Sequence, residues 1–310
     1  MKLPEDILFE DKQIIVCRKR AGISTQTARL GEQDMVSLLK NYLKTPYLGV
    51  IHRLDQPVEG VLVFAKTKTA AARLSGQNQS RGMGKYYYAA VLLPEGKGGT
   101  DGRQETAMAE QGKIDGALQE KERIPSAESL IGGMEQKQYV LTNYLKKDGR
   151  SNLSYVTDQK EEGSKLAILR YQIEKILPLF SAHSPIRISS EIPADSTIFV
   201  KKQEDRGSLL PFEQQKSLDD ALSAYRYALL KIELETGRHH QIRVQMAAAG
   251  MPLLGDSKYG SETSKKNSKE MGIREVALCC CRIVFTHPVS GREMCFSIEP
   301  SGKAFLPFFQ

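Results

Sequence analysis

The sequence lacks the features of a membrane or exported protein. No stretch reaches the run of about eighteen consecutive apolar residues that a membrane-spanning helix requires. The first six residues, MKLPED, do not have the pattern of a signal peptide. We therefore expect a cytoplasmic protein that makes no membrane contact.

Cysteine is also scarce, with five residues in 310. Three of them, Cys279, Cys280 and Cys281, are consecutive, and in a strand the middle one points away from its two neighbours. One tetrahedral metal site therefore cannot use all three. Cys17 and Cys295 stand singly among apolar residues. The pattern favours small side chains that pack in a reducing compartment, with no metal site.

The charge balance is moderately basic. Forty-four Lys and Arg residues against 37 Asp and Glu residues give a net charge of +7 and an isoelectric point near 9.0. This excess permits a polyanionic partner, but a merely soluble basic surface fits it equally well. The length of 310 residues suffices for about two domains, or for one large domain with insertions.

Hydrophobic periodicity predicts many strands and few helices. Most predicted strands follow one another along the chain, which is typical of an α+β fold with a mainly antiparallel sheet. The predicted strands are residues 7–9, 14–17, 85–92, 139–145, 166–176, 230–234, 279–285 and 294–298. The predicted helices are one capped by Asp34 and ended by Pro46, one at residues 68–77 and one at residues 240–249.

Two polar stretches interrupt this pattern. In residues 94–138, glycines alternate irregularly with charged and small residues. Residues 177–220 are polar and contain proline. We predict that both are surface insertions within a single catalytic domain spanning residues 1–310. Their basic side chains Lys121, Arg123, Lys201 and Lys202 are better interpreted as solvated loop charges than as phosphate contacts.

Asp55 is the first candidate for chemistry. It lies with Arg53 in a short connection between the apolar residues 48–51 and 61–65. Loops that join buried elements are where active-site acids are commonly placed. The alternative is an ordinary ion pair between neighbouring loop residues.

A second candidate follows the strand at residues 230–234. The chain turns at Gly237 and enters a helix whose first turn offers free N–H groups beside basic side chains, a natural site for phosphate. Arg243 follows His239 by four residues, so both are expected on one side of the helix while Ile242 faces the core. A solvated helix start is the alternative.

These segments together resemble the ordered motifs of the RluA-type RNA pseudouridine synthases. The matching segments are residues 52–55 (HRLD), 85–91 (KYYYAAV), 236–244 (TGRHHQIRV), 252–256 (PLLGD) with 259–260 (YG), and 285–288 (FTHP). Residues 7–11, 19–22 and 145–149 with Ser154 also resemble that family. Because the likeness begins within the first ten residues, we expect no separate amino-terminal RNA-binding module.

The resemblance implies a pseudouridine synthase fold and an enzyme that isomerises specific uridines in ribosomal or transfer RNA. It implies Asp55 as the nucleophile, Tyr87 as an active-site tyrosine, Arg53 as the arginine beside the nucleophile and Arg243 as its basic partner. It implies no metal and no cofactor, and we expect a monomer. We assign RNA contacts to the polar residues of the same motifs, namely His52, Lys85, Arg238, His239, His240 and Gln241.

Elementary chemistry is consistent with these roles. A neighbouring arginine lowers the pKa of an aspartate by roughly one to three units, so Asp55 beside Arg53 would be ionised at neutral pH. A carboxylate that attacks the sugar divides a difficult glycosyl transfer into two easier steps. The uridine must first leave the base stack, which costs a few kcal/mol.

The sequence departs from the family at several positions. Val58 and Glu59 stand where the family usually has Thr and Ser, and we expect Glu59 to point outward or to pair with a basic residue. Cys279 and Gln245 replace frequent histidines.

Two alternatives are kept. One is an RNA-binding protein on the same scaffold that is catalytically weak or inactive. The other is a nucleoside hydrolase or glycosidase, which needs a second carboxylic acid, and Glu59 is the nearby candidate.

Overall fold

The structure, a computed structural model, describes residues 3–27, 31–93, 137–157, 159–178 and 226–309. The two predicted insertions, apart from residues 137–138 and 177–178, lie outside the described residues, as do Lys121, Arg123, Lys201 and Lys202. No helix in the described ranges is both long and apolar enough to cross a bilayer.

A twisted sheet of eleven strands forms the framework. Its order is β1-β2-β4-β10-β5-β9-β8-β6-β7, with β3 added beside β4 and β11 beside β10. Among the described strands, β4 and β10 form the one parallel pair. The strands are β1 Ile7–Glu10, β2 Ile14–Lys19, β3 Gly49–Val50, β4 Glu59–Ala65, β5 Gly84–Leu93, β6 Tyr139–Asp148, β7 Leu153–Thr157, β8 Lys165–Pro178, β9 Arg226–Leu234, β10 Leu278–Thr286 and β11 Glu293–Ser297.

Short helices flank the sheet. They are α1 Leu3–Asp6, α2 Met35–Leu43, α3 Lys68–Gln79, α4 Gln241–Ala248, α5 Glu262–Glu270 and α6 Leu306–Phe309, which follows a 3₁₀ turn at Lys303–Phe305. The predicted cap of α2 is confirmed, since the Asp34 carboxylate accepts the backbone N–H of Ser37. The helix ends at Leu43, where Lys44 adopts a left-handed conformation, before the chain reaches Pro46.

The α+β class is confirmed. The predicted elements differ from the observed ones mainly at their ends, whereas β7, α1, α5 and α6 are not among the predicted elements. Strand β8 continues to Pro178, two residues into the stretch predicted as the second insertion, and pairs there with Arg226 of β9. Helix α4 begins at Gln241 instead of His240, because the positive φ of His240, 53°, places that residue outside the helix.

The parallel contact between β4 and β10 requires a glycine. Gly60 has φ 154°, and a Cβ on it would lie 2.4 Å from the Cβ of Cys280. The alternation predicted for the three cysteines is confirmed there. Cys280 packs in the main core, whereas Cys279 and Cys281 pack on the other face with Phe305. This close approach fixes the start of β4, directly after the Asp55 loop.

Candidate active site

The loop that carries Asp55 is held by buried backbone contacts. The Thr25 hydroxyl donates to the Leu54 carbonyl at 2.9 Å and accepts the Leu54 N–H at 3.1 Å. The Asp55 carbonyl accepts the N–H of Val58 at 3.0 Å. Behind the loop, the fully buried ammonium of Lys19 donates to the Gln56 carbonyl at 3.0 Å. These bonds fix the loop and leave the Asp55 side chain 30% exposed, whereas His52, Leu54 and Val58 are buried.

Asp55 lines a cavity of about 100 Å³. The four residues predicted to be catalytic, Asp55, Tyr87, Arg243 and Arg53, all lie in its wall. Three further polar residues, Arg238, His240 and Gln241, also line the cavity. The rest of its described lining consists of Gly237 and of the apolar residues Leu54, Val58, Leu234, Ile242 and Leu278. Loop 52–58, strand β5, strand β9 and helix α4 therefore converge on one carboxylate.

Arg243 joins two carboxylates. Its Nη1 donates to Oδ2 of Asp55 at 3.2 Å, while its Nε and Nη2 each donate to the carboxylate of Asp256 at 2.7 Å. Burial opposes the positive charge of Arg243, but the hydrogen bonds and charge of Asp256 raise its pKa above the ordinary value. Burial likewise acts against the Asp256 carboxylate, yet the bonds from Arg243 keep its pKa below the ordinary value. Asp55 thus faces a fixed cation.

Arg53 lines the cavity, but no ion pair joins it to Asp55 in the described structure. It is exposed, and its described hydrogen bond joins Nη2 to Oε1 of Gln26 at 3.5 Å, whereas the ion pairs of Asp55 go to Arg243 and His240. The cation expected beside Asp55 therefore comes from helix α4, which lies 188 residues further along the chain. Residues two apart in sequence approach each other only when the loop conformation brings both side chains together.

His240 is the second neighbour of Asp55. Its left-handed backbone turns the ring toward the cavity, with Nε2 3.6 Å from Oδ2 of Asp55. Its Nδ1 lies 2.7 Å from the hydroxyl of Tyr259. Burial lowers the pKa of His240 to about 4, so the ring is neutral at pH 7. His239, the residue expected on the Arg243 side, stacks on His240 with ring centres 3.7 Å apart.

Tyr87 is nearly buried, at 5% exposure, on the face of β5 that points into the cavity. Burial, together with a hydrogen bond shared with the Cys280 thiol, raises its pKa well above the ordinary value, so the hydroxyl stays protonated. Tyr86 and Tyr88 pack on the opposite face of the sheet. The alternation expected for these three tyrosines is therefore confirmed.

Glu59 does not face Asp55. Its side chain is buried, and the residue is 5% exposed. The carboxylate accepts hydrogen bonds from Nε of Arg18 at 2.7 Å and from the N–H and hydroxyl of Ser301 at 2.9 and 2.8 Å. The expectation that Glu59 pairs with a basic residue is confirmed.

A family model described as RNA pseudouridylate synthase matches residues 13–248. The chain belongs to this family. The resemblance to its RluA-type members is also confirmed. Curated relatives named as ribosomal large subunit pseudouridine synthase D and as RluA align over nearly the whole chain.

Among the relatives, ribosomal large subunit pseudouridine synthase D of Zymomonas mobilis is 25% identical and covers 96% of this chain and 69% of its own length. The Neisseria meningitidis protein of the same name is 26% identical over 94% of this chain and 57% of its own. The dual-specificity RNA pseudouridine synthase RluA of Vibrio parahaemolyticus is 26% identical over 92% and 79%.

Solved structures show the same fold. Human RNA pseudouridylate synthase domain containing 4 aligns with a TM-score of 0.54 at 18% identity, over 96% of this chain and 90% of that one. Human RNA pseudouridylate synthase domain containing 1 aligns with a TM-score of 0.56 at 16% identity, over 98% and 86%. The pseudouridine synthase fold predicted from the family resemblance is therefore confirmed.

Three of the six residues assigned to RNA contacts lie inside the protein. His52 is 9% exposed, and neither ring nitrogen has a hydrogen-bond partner in the described part of the chain. Lys85 is 8% exposed and donates to Asn78 at 2.8 Å. Gln241 is 3% exposed, although it reaches the cavity wall, and its amide bonds Thr236 and neighbouring groups.

The other three assigned residues line cavities, although the His240 side chain is itself only 7% exposed. His240 and Arg238 line the Asp55 cavity, and Arg238 also lines a neighbouring cavity together with His239. The expected phosphate-binding segment is therefore open at its start, at residues 237–240, and buried from Gln241 onward. Within the described ranges, no three His, Cys, Asp or Glu side chains are grouped to hold a metal ion.

Sequence reasoning missed two residues that shape the site. Asp256 fixes Arg243, and Tyr259 contacts both His240 and the backbone of Ser154, whose N–H donates to its hydroxyl at 2.9 Å. Both residues belong to segments that resemble the family motifs, but nothing in those segments indicates their contacts. Their partners come from other parts of the chain, so sequence spacing carries no signal of these interactions.

Proposed function

We propose that this chain isomerises uridine to pseudouridine in ribosomal RNA, with Asp55 as the nucleophile. The main support is the cavity that Asp55, Tyr87 and Arg243 line together, in which Asp55 is the one carboxylate among the described lining residues. The names of the relatives from Zymomonas and Neisseria support ribosomal RNA as the substrate class.

The proposed reaction has two steps. An oxygen of Asp55 attacks C1′ of the flipped uridine, and the C1′–N1 bond breaks with its electron pair left on uracil N1. The uracil turns within the cavity, C5 attacks C1′, and the carboxylate of Asp55 leaves. C5 then loses its proton and N1 gains one, so the product is an isomer of the substrate and no atom is lost.

The neighbours of Asp55 have distinct tasks in this scheme. Arg243, held by Asp256, donates to the Asp55 carboxylate and orients it toward the sugar. Neutral His240 contributes a polar N–H without adding a second cation. Tyr87 offers an aromatic face and a protonated hydroxyl to the base.

The apolar walls serve to retain the uracil. Val58, Ile242 and Leu278 line the cavity with apolar surface that does not compete for the polar edges of the base. Extrusion of the uridine costs a few kcal/mol, which phosphate contacts and stacking can offset.

The two alternative functions have less support. A hydrolase needs a second carboxylic acid, but Glu59 is bound to Arg18 and Ser301, and Asp256 is bound to Arg243. Phosphate binding alone does not require a partly exposed carboxylate in a cavity, because a carboxylate repels phosphate, so Asp55 argues against a protein that only binds the RNA backbone.

The test compares wild type with Asp55→Asn on ribosomal RNA from cells that lack this protein, with transfer RNA as a second substrate. We expect wild type to form pseudouridine in ribosomal RNA and the variant to lose at least a thousandfold in rate while keeping its RNA affinity. Glu293→Gln, at an exposed glutamate that begins strand β11, is the control, because it also converts a carboxylate into an amide, and it is expected to stay within twofold of wild type.

Nuclease digests are separated by liquid chromatography before mass spectrometry, because pseudouridine and uridine have the same mass. A variant that retains isomer formation within tenfold of wild type overturns the role of Asp55. Release of free uracil by wild type favours the hydrolase, and RNA binding without any product from either RNA favours the non-catalytic protein. Product in transfer RNA alone overturns the ribosomal assignment.

A further inference from the structure

A second cavity of about 280 Å³ lies directly beside the Asp55 cavity. The two share Gly237 and Arg238 in their walls. Three segments form the second cavity: the β6–β7 hairpin, the turn before β8 and the loop between β9 and α4. It is the larger of the two, and nothing in the proposed mechanism uses it.

The second cavity is lined by basic and neutral groups. Lys147, Lys165 and Arg238 contribute cationic side chains, and none of its described lining residues carries a carboxylate. Neither lysine has an ion-pair partner among the described residues. By contrast Lys146, next to Lys147 on the same strand, pairs with Glu161 at 3.2 Å. Cations clustered without counterions attract an anion, and lysine is a common ligand for phosphate.

Hydrogen bonds connect the second cavity to the first. The Ser154 hydroxyl lies 2.9 Å from Nδ1 of His239, and its N–H donates to the Tyr259 hydroxyl, which contacts His240 beside Asp55. The hairpin that carries Lys147 is thereby fixed against helix α4. The spacing between the two cavities is therefore set by the fold.

We propose that the second cavity holds the phosphodiester and sugar of the nucleotide next to the flipped uridine. The inference rests on the proposed function, because it assumes that uridine occupies the Asp55 cavity. A uridine placed there remains joined to its neighbours through phosphates. The rim at Gly237 and Arg238 gives that backbone a direct path into a basic cavity. Single-stranded RNA is bound in this way, with cations along the backbone and a pocket for the base.

The test uses a fluorescein-labelled RNA nonamer with one central uridine among adenosines. Affinity is measured by fluorescence anisotropy over a range of salt concentrations for wild type and for the double variant Lys147→Gln/Lys165→Gln. We expect the double variant to bind at least tenfold more weakly. The slope of log K against log salt should shrink by about 0.7 for each phosphate that the variant no longer neutralises.

Lys146→Gln is the control for the single variant Lys147→Gln, which is measured beside the double variant, because each removes one lysine charge from neighbouring positions and the ammonium of Lys146 is paired with Glu161. It is expected to bind within twofold of wild type. A double variant with unchanged affinity and slope overturns the proposal. An equally large drop in affinity for Lys146→Gln does so too, since it indicates a diffuse basic surface.

A second probe locates the phosphate. Nonamers carry one neutral methylphosphonate, either immediately 5′ or immediately 3′ of the uridine or at a terminal linkage. We expect wild type to lose affinity with one of the two flanking replacements and the double variant to be insensitive to it. Equal sensitivity at the terminal linkage overturns the proposal. These readouts concern binding and can be repeated with Asp55→Asn, so failure of the proposed chemistry is distinguished from failure of the subsite.

Discussion

The hydroxyl of Tyr259 lies 2.7 Å from Nδ1 of His240. The same oxygen already accepts the N–H of Ser154, and a phenol has a single proton to give. When that proton goes to Nδ1, the proton of the neutral imidazole resides on Nε2, the nitrogen 3.6 Å from Asp55. In that arrangement Tyr259 sets the tautomer in which His240 presents an N–H to the carboxylate.

Replacement of this tyrosine is the first prediction. Tyr259→Phe keeps the ring under Arg243, 5.1 Å from its guanidinium carbon, but removes the hydroxyl. We expect kcat for pseudouridine formation to fall about fivefold to tenfold, in keeping with the removal of one hydrogen bond of about 1–1.5 kcal/mol, with little change in RNA affinity. Single-turnover kinetics measures the rate, and the nitrogen chemical shifts of His240 report its tautomer.

Tyr155→Phe is the control, because Tyr155 is an exposed residue of strand β7 and is expected to tolerate the change. If Tyr259→Phe leaves both kcat and the His240 tautomer unchanged, the hydroxyl does not orient the imidazole.

The order of the motifs was sufficient to predict that Asp55, Tyr87 and Arg243 meet, because family register placed each one at the end or on one face of a recognisable element. It was not sufficient to separate surface from interior. Lys85 shares a face of β5 with Tyr87, and that alternation was available from the sequence, yet its basic side chain suggested an RNA contact. Lys85 can be buried because the side chain of Asn78, on helix α3, accepts a hydrogen bond from its ammonium.

The partner of Arg243 was beyond sequence reasoning for another reason. Asp256 lies thirteen residues further on, past the end of α4, and neither helical nor strand periodicity relates the two positions. The contact arises only when the loop after α4 folds back beneath the helix. Long-range contacts of this kind depend on tertiary packing, whereas caps such as Asp34 depend on local sequence.

Asp256→Asn is the second prediction. Removal of this buried partner leaves a buried guanidinium partly unpaired, which destabilises a fold by about 3 kcal/mol or more. We expect the midpoint of thermal unfolding to fall by roughly 6–12 °C. Product formation should also decline, because Arg243 is no longer fixed. Calorimetry and single-turnover rates measure the two effects.

Asp55→Asn is the matched control for stability, because it removes the other partner of Arg243. Asp55 is 30% exposed whereas Asp256 is 1% exposed, so the change at Asp55 is expected to cost less than about 1 kcal/mol. Equal losses of stability in both variants contradict the view that Asp256 is the structural anchor.

Gly60→Ala is the third prediction. The added methyl group would meet Cys280 at 2.4 Å, including its backbone atoms at 2.7 and 2.8 Å, at a φ that glycine alone readily adopts. We expect a loss of about 1–3 kcal/mol in the free energy of unfolding, measured with urea.

Gly76→Ala provides a control with the opposite sign. Gly76 lies within helix α3, and a Cβ there has no neighbour within 4 Å. Alanine is expected to stabilise the protein by about 0.5–1 kcal/mol through its helix propensity. Similar losses in both variants would mean that the contact between β4 and β10 is not the cause.

The fourth prediction concerns His52, whose pKa burial lowers to about 3, with a smaller effect from Lys85. In the unfolded chain the pKa of histidine is near 6.5. Between these two values the unfolded chain binds the proton and the folded protein does not. Stability therefore rises with pH in this range and falls as the pH drops below about 6.5, by about 1.4 kcal/mol per pH unit for one proton.

His52→Phe should reduce this dependence. Because neither ring nitrogen of His52 has a partner among the described residues, an apolar ring of similar size is expected to be at least as stable at pH 7.5. Urea unfolding of both proteins from pH 7.5 to 4.5 measures the difference, in which contributions from other groups such as His240 cancel. The gap in stability should widen in favour of the variant as the pH falls, and parallel curves would show that His52 takes up its proton equally well in the folded protein.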